Sequence, residues 1–189
     1  MRLTGESPAQ EPTPAWLPRW PRWLLVAAFV AVLAVLAGAW WETHPSVFPA
    51  YGNGAGITNR VGDPALFGLT FPVVRDQPGR IHILAVTPHL GPAPPGATVT
   101  AMHCVGGNIG VDRGRVRASC HTFGPAAGST LIVGPGTHDQ LILVVRSPQV
   151  GDVVVTGATV TYRDGVRFGR QHIGMATTAT FTRVGFQAP

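Results

Sequence analysis

Hydrophobic and polar positions divide the chain into stretches of different rhythm. Residues 1–21, MRLTGESPAQEPTPAWLPRWP, hold five prolines and few aliphatic side chains, a composition that neither nucleates a helix nor buries a core. From Trp23 to Trp41 the chain reads WLLVAAFVAVLAVLAGAWW, without charge or proline and with one glycine. At about nineteen residues this run is close to the roughly 20 that a helix needs to cross hydrocarbon. Residues 42–64, ETHPSVFPAYGNGAGITNRVGDP, are crowded with turn formers and read as a stalk. From Ala65 onward, short runs of Val, Ile, Thr and Leu recur roughly every 10–20 residues between Gly/Pro clusters, the rhythm of an all-β domain.

Strands are predicted near 66–74, 80–87, 97–105, 115–123, 129–133, 139–147, 152–163, 166–172 and 175–184. No window has the i, i+3, i+4, i+7 spacing of a soluble amphipathic helix. Leu141 to Val145 is apolar on both faces, which suits a central strand covered on both sides. Asp164-Gly165, between VTYR and VRFG, predicts a two-residue hairpin turn of type I′. The expected architecture is a β-sandwich of about 7–9 strands, Ig-like in the broad sense, over residues 65–189. It follows a disordered cytoplasmic tail at 1–21, a transmembrane helix at 22–41 and a linker at 42–64.

Charge and aromatic residues orient the apolar run. Arg19 and Arg22 precede it and Glu42 follows it, so the positive-inside rule keeps the N-terminus cytoplasmic and exports the rest. Trp16, Trp20 and Trp23 on one side, and Trp40 and Trp41 on the other, form candidate headgroup-level anchors. Ala37-Gly38-Ala39 meets the small-x-small rule for signal cleavage. The run is nevertheless longer than the roughly 7–15 apolar residues of a signal peptide, and its basic preamble is long. A retained signal-anchor of a bacterial cell membrane is the expectation.

About 145 residues beyond the anchor suffice for one domain with a real core. All 14 basic residues are Arg, against nine acidic ones, for a formal net charge of +5. Such a balance suits an anionic partner, although three of the arginines lie in the N-terminal segment. Nucleic acid is not expected as a partner outside the cell, and the oligomeric state has no sequence signal.

The two cysteines are the first chemical candidates. Cys104 and Cys120 stand in MHC and CH, flanked by His103 and His121. Thiolate and imidazole together suit zinc or copper. Neighbouring strand residues point to opposite faces, however, so His103 and Cys104 turn toward one ion only through a bulge. The expectation is a disulfide across the intervening loop, as in exported chains generally, with no metal and no cofactor. Arg113, Arg115 and Arg117 alternate with Gly114, Val116 and Ala118. On a strand, these arginines and His121 would share one face and Cys120 the other, inward one. This stripe is either a solvated strand face or a contact for an anionic cell-wall polymer, lipid headgroup or envelope protein. Arg163, Arg167, Arg170 and His172 would extend it only if the two strand pairs were neighbours.

An anchored, exported β-domain with a Cys, several His and many Arg is similar in arrangement to the sortase transpeptidases, whose Cys nucleophile is assisted by a His and an Arg. The residues depart from that family. RVRASCHTF surrounds Cys120 where the family has Thr-Leu-x-Thr-Cys, and its Gly-His motif is missing, so no role carries over. Neither a Gly-x-Ser-x-Gly elbow nor a His-Glu-x-x-His pair occurs. Asp63, Asp76, Asp112, Asp139, Asp152 and Asp164 lie mostly beside turn residues and read as turn formers. The sequence thus points to a non-catalytic binding or assembly module, with metal handling and a thiol enzyme as alternatives.

Overall fold

A computed structural model of the chain describes residues 21–43, 47–48, 54–70, 79–107, 109–114 and 120–184. It separates into two compact units, Met1–Ala39 and Trp40–Pro189. The helix α1 (Arg22–Thr43) is apolar around its whole circumference, and its stretch from Arg22 to Trp40 is long and apolar enough to cross a membrane. A helix without a polar face has no orientation to choose against water, so burial in a large core or in lipid is what stabilises it. Trp23 and Trp40 are 67 % and 65 % exposed at its two ends. Trp16 and Trp20, and the side chain of Trp41, lie outside the described residues.

The larger unit is built from two sheets. The strands are β1 (Gly56–Arg60), β2 (Ala65–Gly68), β3 (Gly79–Leu90), β4 (Thr98–Val105), β5 (Val111–Asp112) and β6 (Thr122–Pro125). They continue with β7 (Thr130–Val133), β8 (Gln140–Arg146), β9 (Gly151–Asp164), β10 (Arg167–Ile173) and β11 (Thr177–Thr182). One sheet runs β1-β11-β9-β3-β7 with β10 added along β9, and the other runs β5-β2-β8-β4-β6. Every pairing is antiparallel except β1 with β11. The core between the sheets takes alternate residues of each: Ile81, Val160 and Phe181 from one, Phe67, Leu141 and Val145 from the other. Two sheets sharing one buried core is the layering of a β-sandwich.

A second, smaller cluster lies on the outer face of the five-stranded sheet, where Leu66, Cys104, Ile109, Cys120 and Ile142 are buried together. Ile109 and Cys120, from the chain between β4 and β6, cover part of that face. Strand β8 is therefore buried on both sides, Leu141, Leu143 and Val145 inward and Ile142 outward, as its doubly apolar sequence requires.

The structure departs from the sequence expectation in four places. Gly56–Arg60, read as part of the stalk, is a strand hydrogen-bonded to β11, and Val47 and Phe48 from the same stretch are buried in the core. The Asp164-Gly165 hairpin forms, but its two loop residues are Gly165 and Val166, since Asp164 pairs with Arg167. Gly165 has φ +62° and Val166 has negative φ, the signature of a type II′ turn with glycine first rather than type I′. The strand expected over 115–123 is described only from Thr122, and residues 115–119 lie outside the described residues. Finally, the cysteines face the outer cluster instead of the core between the sheets.

Candidate functional site

Cys104 and Cys120 form a disulfide, with S–S 2.06 Å and Cα–Cα 5.4 Å. It joins β4 to the entry of β6, its hydrogen-bonded neighbour, and pins the covering segment to the sheet. Both sulfurs are bonded to each other, so neither is a thiolate nucleophile or a metal ligand in this state. His103, one residue away, points to the opposite face of β4, where its Nε2 lies 3.7 Å from Asp139 Oδ2. His121 is exposed, its ring stacked so close over Gly106 that a Cβ there would approach Nδ1 to 2.5 Å. The four residues considered as metal ligands are thus not assembled. Among the described residues no group of three or more His, Cys, Asp or Glu side chains is placed to hold a metal.

Asp139, read from sequence as a turn former, is a buried tie between elements. Oδ1 accepts the Gly106 N–H at 3.2 Å and Oδ2 accepts the Ile132 N–H at 2.9 Å. Its neighbour Gln140 is 1 % exposed and satisfies three backbone groups. Its Oε1 accepts from Ile109 N–H at 2.7 Å, and its Nε2 donates to the carbonyls of Thr70 and Ile109 at 2.6 and 2.9 Å. Burial holds the His103 imidazole below its ordinary pKa of 6.5, with the Asp139 charge acting in the opposite direction. Its Nε2 is buried without a hydrogen-bond partner.

A cavity of about 250 Å³ opens at the edge of the core, lined by Phe67, Leu69, Ile109, Leu143 and Met175 together with several glycines. Among the described residues no charged side chain lines it. Gln140 is already engaged by backbone, and Thr177 donates to the Val155 carbonyl at 3.4 Å. The described lining offers mainly apolar surface.

The arginine stripe is not brought together as a single ribbon. Arg113 is exposed just beyond β5, at an edge of the five-stranded sheet, and Arg115 and Arg117 lie outside the described residues. The second group of basic residues belongs to the other sheet. Directly paired residues of antiparallel strands project to the same side. On the outer face of the six-stranded sheet, His82, Arg163 and Phe168 therefore form one row across β3, β9 and β10, and Ala85, Thr161 and Arg170 the next. Thr87, Thr159 and His172 form a third row, and Arg80 lies beside Ile132 at the β7 side. Rows two residues apart are about 7 Å from one another, so Arg163 and Arg170 can engage one extended anion together.

Local bonds fix this face. His82 Nδ1 and Thr130 Oγ1 are 2.9 Å apart, and His89 Nε2 and Thr159 Oγ1 2.7 Å. The His89 and His172 rings pack at 5.2 Å between centroids. Among the described residues no carboxylate pairs with Arg80, Arg163 or Arg170. The only outward aspartate of β9, Asp152, is at the strand's other end, where it accepts a hydrogen bond from Thr180. The arrangement sets guanidinium and imidazole groups side by side on one sheet face. Sequence reading singled out Arg163, Arg170 and His172 around the hairpin but not Arg80 or His82, because β3 is far from the hairpin in the chain and only strand pairing brings it alongside. No known protein family matches the chain, and no curated sequence is similar to it.

Proposed function

We propose that this is a membrane-tethered, non-catalytic binding module of a bacterial envelope, with an Ig-like sandwich held outside the cell by α1. What supports tethering and export is the apolar helix with its exposed terminal tryptophans, together with a disulfide of the kind that persists in oxidising compartments. What supports the Ig-like reading is strand order. In chain order β2, β4 and β8 take the places of strands B, D and E, and β3, β9 and β11 those of C, F and G. The strands β5, β6 and β7 then form an insertion between D and E. The Cys pair is not the Ig inter-sheet bridge, since both cysteines serve one sheet.

The binding surface in this reading is the outer face of the six-stranded sheet around β9–β10. The observation that carries it is a set of arginines and histidines on one rigid face, with no acidic partner beside them among the described residues. Guanidinium groups left without carboxylates are available for bidentate contact with phosphate or carboxylate. The test is salt elution of the detergent-solubilised full-length protein from an immobilised polyphosphate column. An Arg80→Glu, Arg163→Glu double substitution on this face is expected to move elution to distinctly lower salt, while Arg183→Glu beyond β11 moves it little. Equal shifts for the two variants would remove the assignment of this face.

A further inference from the structure

The chain that leaves α1 is fastened to the β9–β10 hairpin almost immediately. Helix α1 ends at Thr43, and Val47 and Phe48 are already buried in the β core. The Phe48 ring stands edge-on to Tyr162, 5.1 Å between centroids. The Val47 N–H donates to the Tyr162 hydroxyl at 3.2 Å, and the Phe48 N–H to Gln171 Oε1 at 3.2 Å. Gln171 Nε2 returns a bond to the Phe48 carbonyl. Tyr162 can lie flat across β10 because its partner there is Gly169, where a Cβ would come within 2.4 Å of the ring. Four peptide steps separate Thr43 from Val47, so even a fully extended chain spans no more than about 14 Å between them. The expected stalk is in effect a short leash, and its attachment point is three residue pairs from the turn of the hairpin.

The turn itself is apolar and exposed. Val166 is 92 % and Phe168 58 % exposed, with Arg163 paired to Phe168 across the hairpin and Arg170 in the next row. Exposed apolar side chains ringed by guanidinium groups are the composition of segments that enter the headgroup layer of a bilayer. We propose that the β9–β10 tip seats in the leaflet from which α1 emerges, with Val166 and Phe168 among the headgroups and Arg163 and Arg170 on the phosphates of acidic phospholipids. This inference rests on the reading of α1 as an anchor and of this face as an anionic contact, and it names the partner as lipid. A leash of this length favours lipid over a wall polymer, because it keeps the hairpin at the surface whether or not polymer is present.

The native cysteines are bridged to each other, so a single added cysteine can carry a polarity-sensitive dye in the full-length protein. Val166→Cys, Leu33→Cys and Thr98→Cys label the tip, the middle of α1 and the start of β4, which lies toward the far end of β9. Each is reconstituted in nanodiscs of phosphatidylcholine, with or without phosphatidylglycerol, containing headgroup-spin-labelled lipid. The expected result is quenching at Val166 several-fold stronger in the acidic discs than in the neutral ones, with Thr98 unquenched. Arg163→Glu, Arg170→Glu in the same protein is expected to remove most of that quenching. A Val166 probe as unquenched as Thr98, with a dye-labelled Leu33 protected in lipid, would overturn the inference and leave the anchor intact. A Leu33 probe open to water would overturn the anchor reading itself. A Val166 probe that responds to added polyphosphate and ignores acidic lipid would assign the face to a polymer and overturn the lipid assignment.

Discussion

His103 and Asp139 show how one buried pair can tie ionisation to folding. Asp139 has its oxygens occupied by two backbone N–H groups from different elements, and His103 faces it without a hydrogen bond of its own at Nε2. Burial lowers the pKa of His103 below 6.5, so in the pH range just under that value the unfolded chain binds more protons than the folded one. Stability is therefore fully present above about pH 6.5 and falls as acid carries the pH through the folded-state pKa. Urea unfolding of the full-length protein at about pH 7.5 and about pH 5 should show a larger drop in midpoint for the native chain than for His103→Gln. An equal drop in both would mean that His103 does not carry this linkage. The sequence made the cysteine pair legible, because two cysteines in a chain that also carries a membrane-length apolar run have one ordinary use. It did not reveal the work of Asp139 or Gln140. Beside Gly136, Thr137 and His138 an aspartate looks like a turn residue, and only the crossing of β7, β8 and the loop after β4 buries it.

At the level of elements, alternation and turn chemistry recovered most strands, and the misses have physical causes. Strand β3 continues through Pro88 to Leu90, beyond the expected end at residue 87. Its partner β7 pairs only with Gly79 to His82, so Pro88 sits where no second neighbour needs its missing N–H. Strand β1 was invisible because GITNR carries little alternation and is held by its parallel pairing to the last strand, a contact between distant parts of the chain. Ile109 and Cys120, from the chain between β4 and β6, are buried with Leu66 and Ile142, and the disulfide ties Cys120 to β4 there. Closing a loop of about 15 residues is worth roughly 3 kcal/mol on the chain-entropy estimate. A Cys104→Ala, Cys120→Ala protein should lose stability of that order in denaturant titration and expose the outer face of the five-stranded sheet to protease. An unchanged midpoint would show that packing alone holds the cover.

The whole chain combines an apolar helix, a short link and a two-sheet domain whose basic face runs across β3, β9 and β10. The helix was legible from length and composition alone; of the face only the hairpin residues Arg163, Arg170 and His172 were, since His82 reaches them through pairing with a distant strand. The proposed topology keeps α1 in the lipid and holds the disulfide-bonded domain outside. It is tested most directly by treating intact spheroplasts carrying Thr98→Cys with a membrane-impermeant maleimide, then washing the membranes at alkaline pH. The expected result is labelling without permeabilisation, with the labelled chain retained in the washed membranes together with its N-terminal segment. Labelling only after the membrane is opened, or recovery of a labelled chain beginning at Trp40 in the soluble wash, would contradict it.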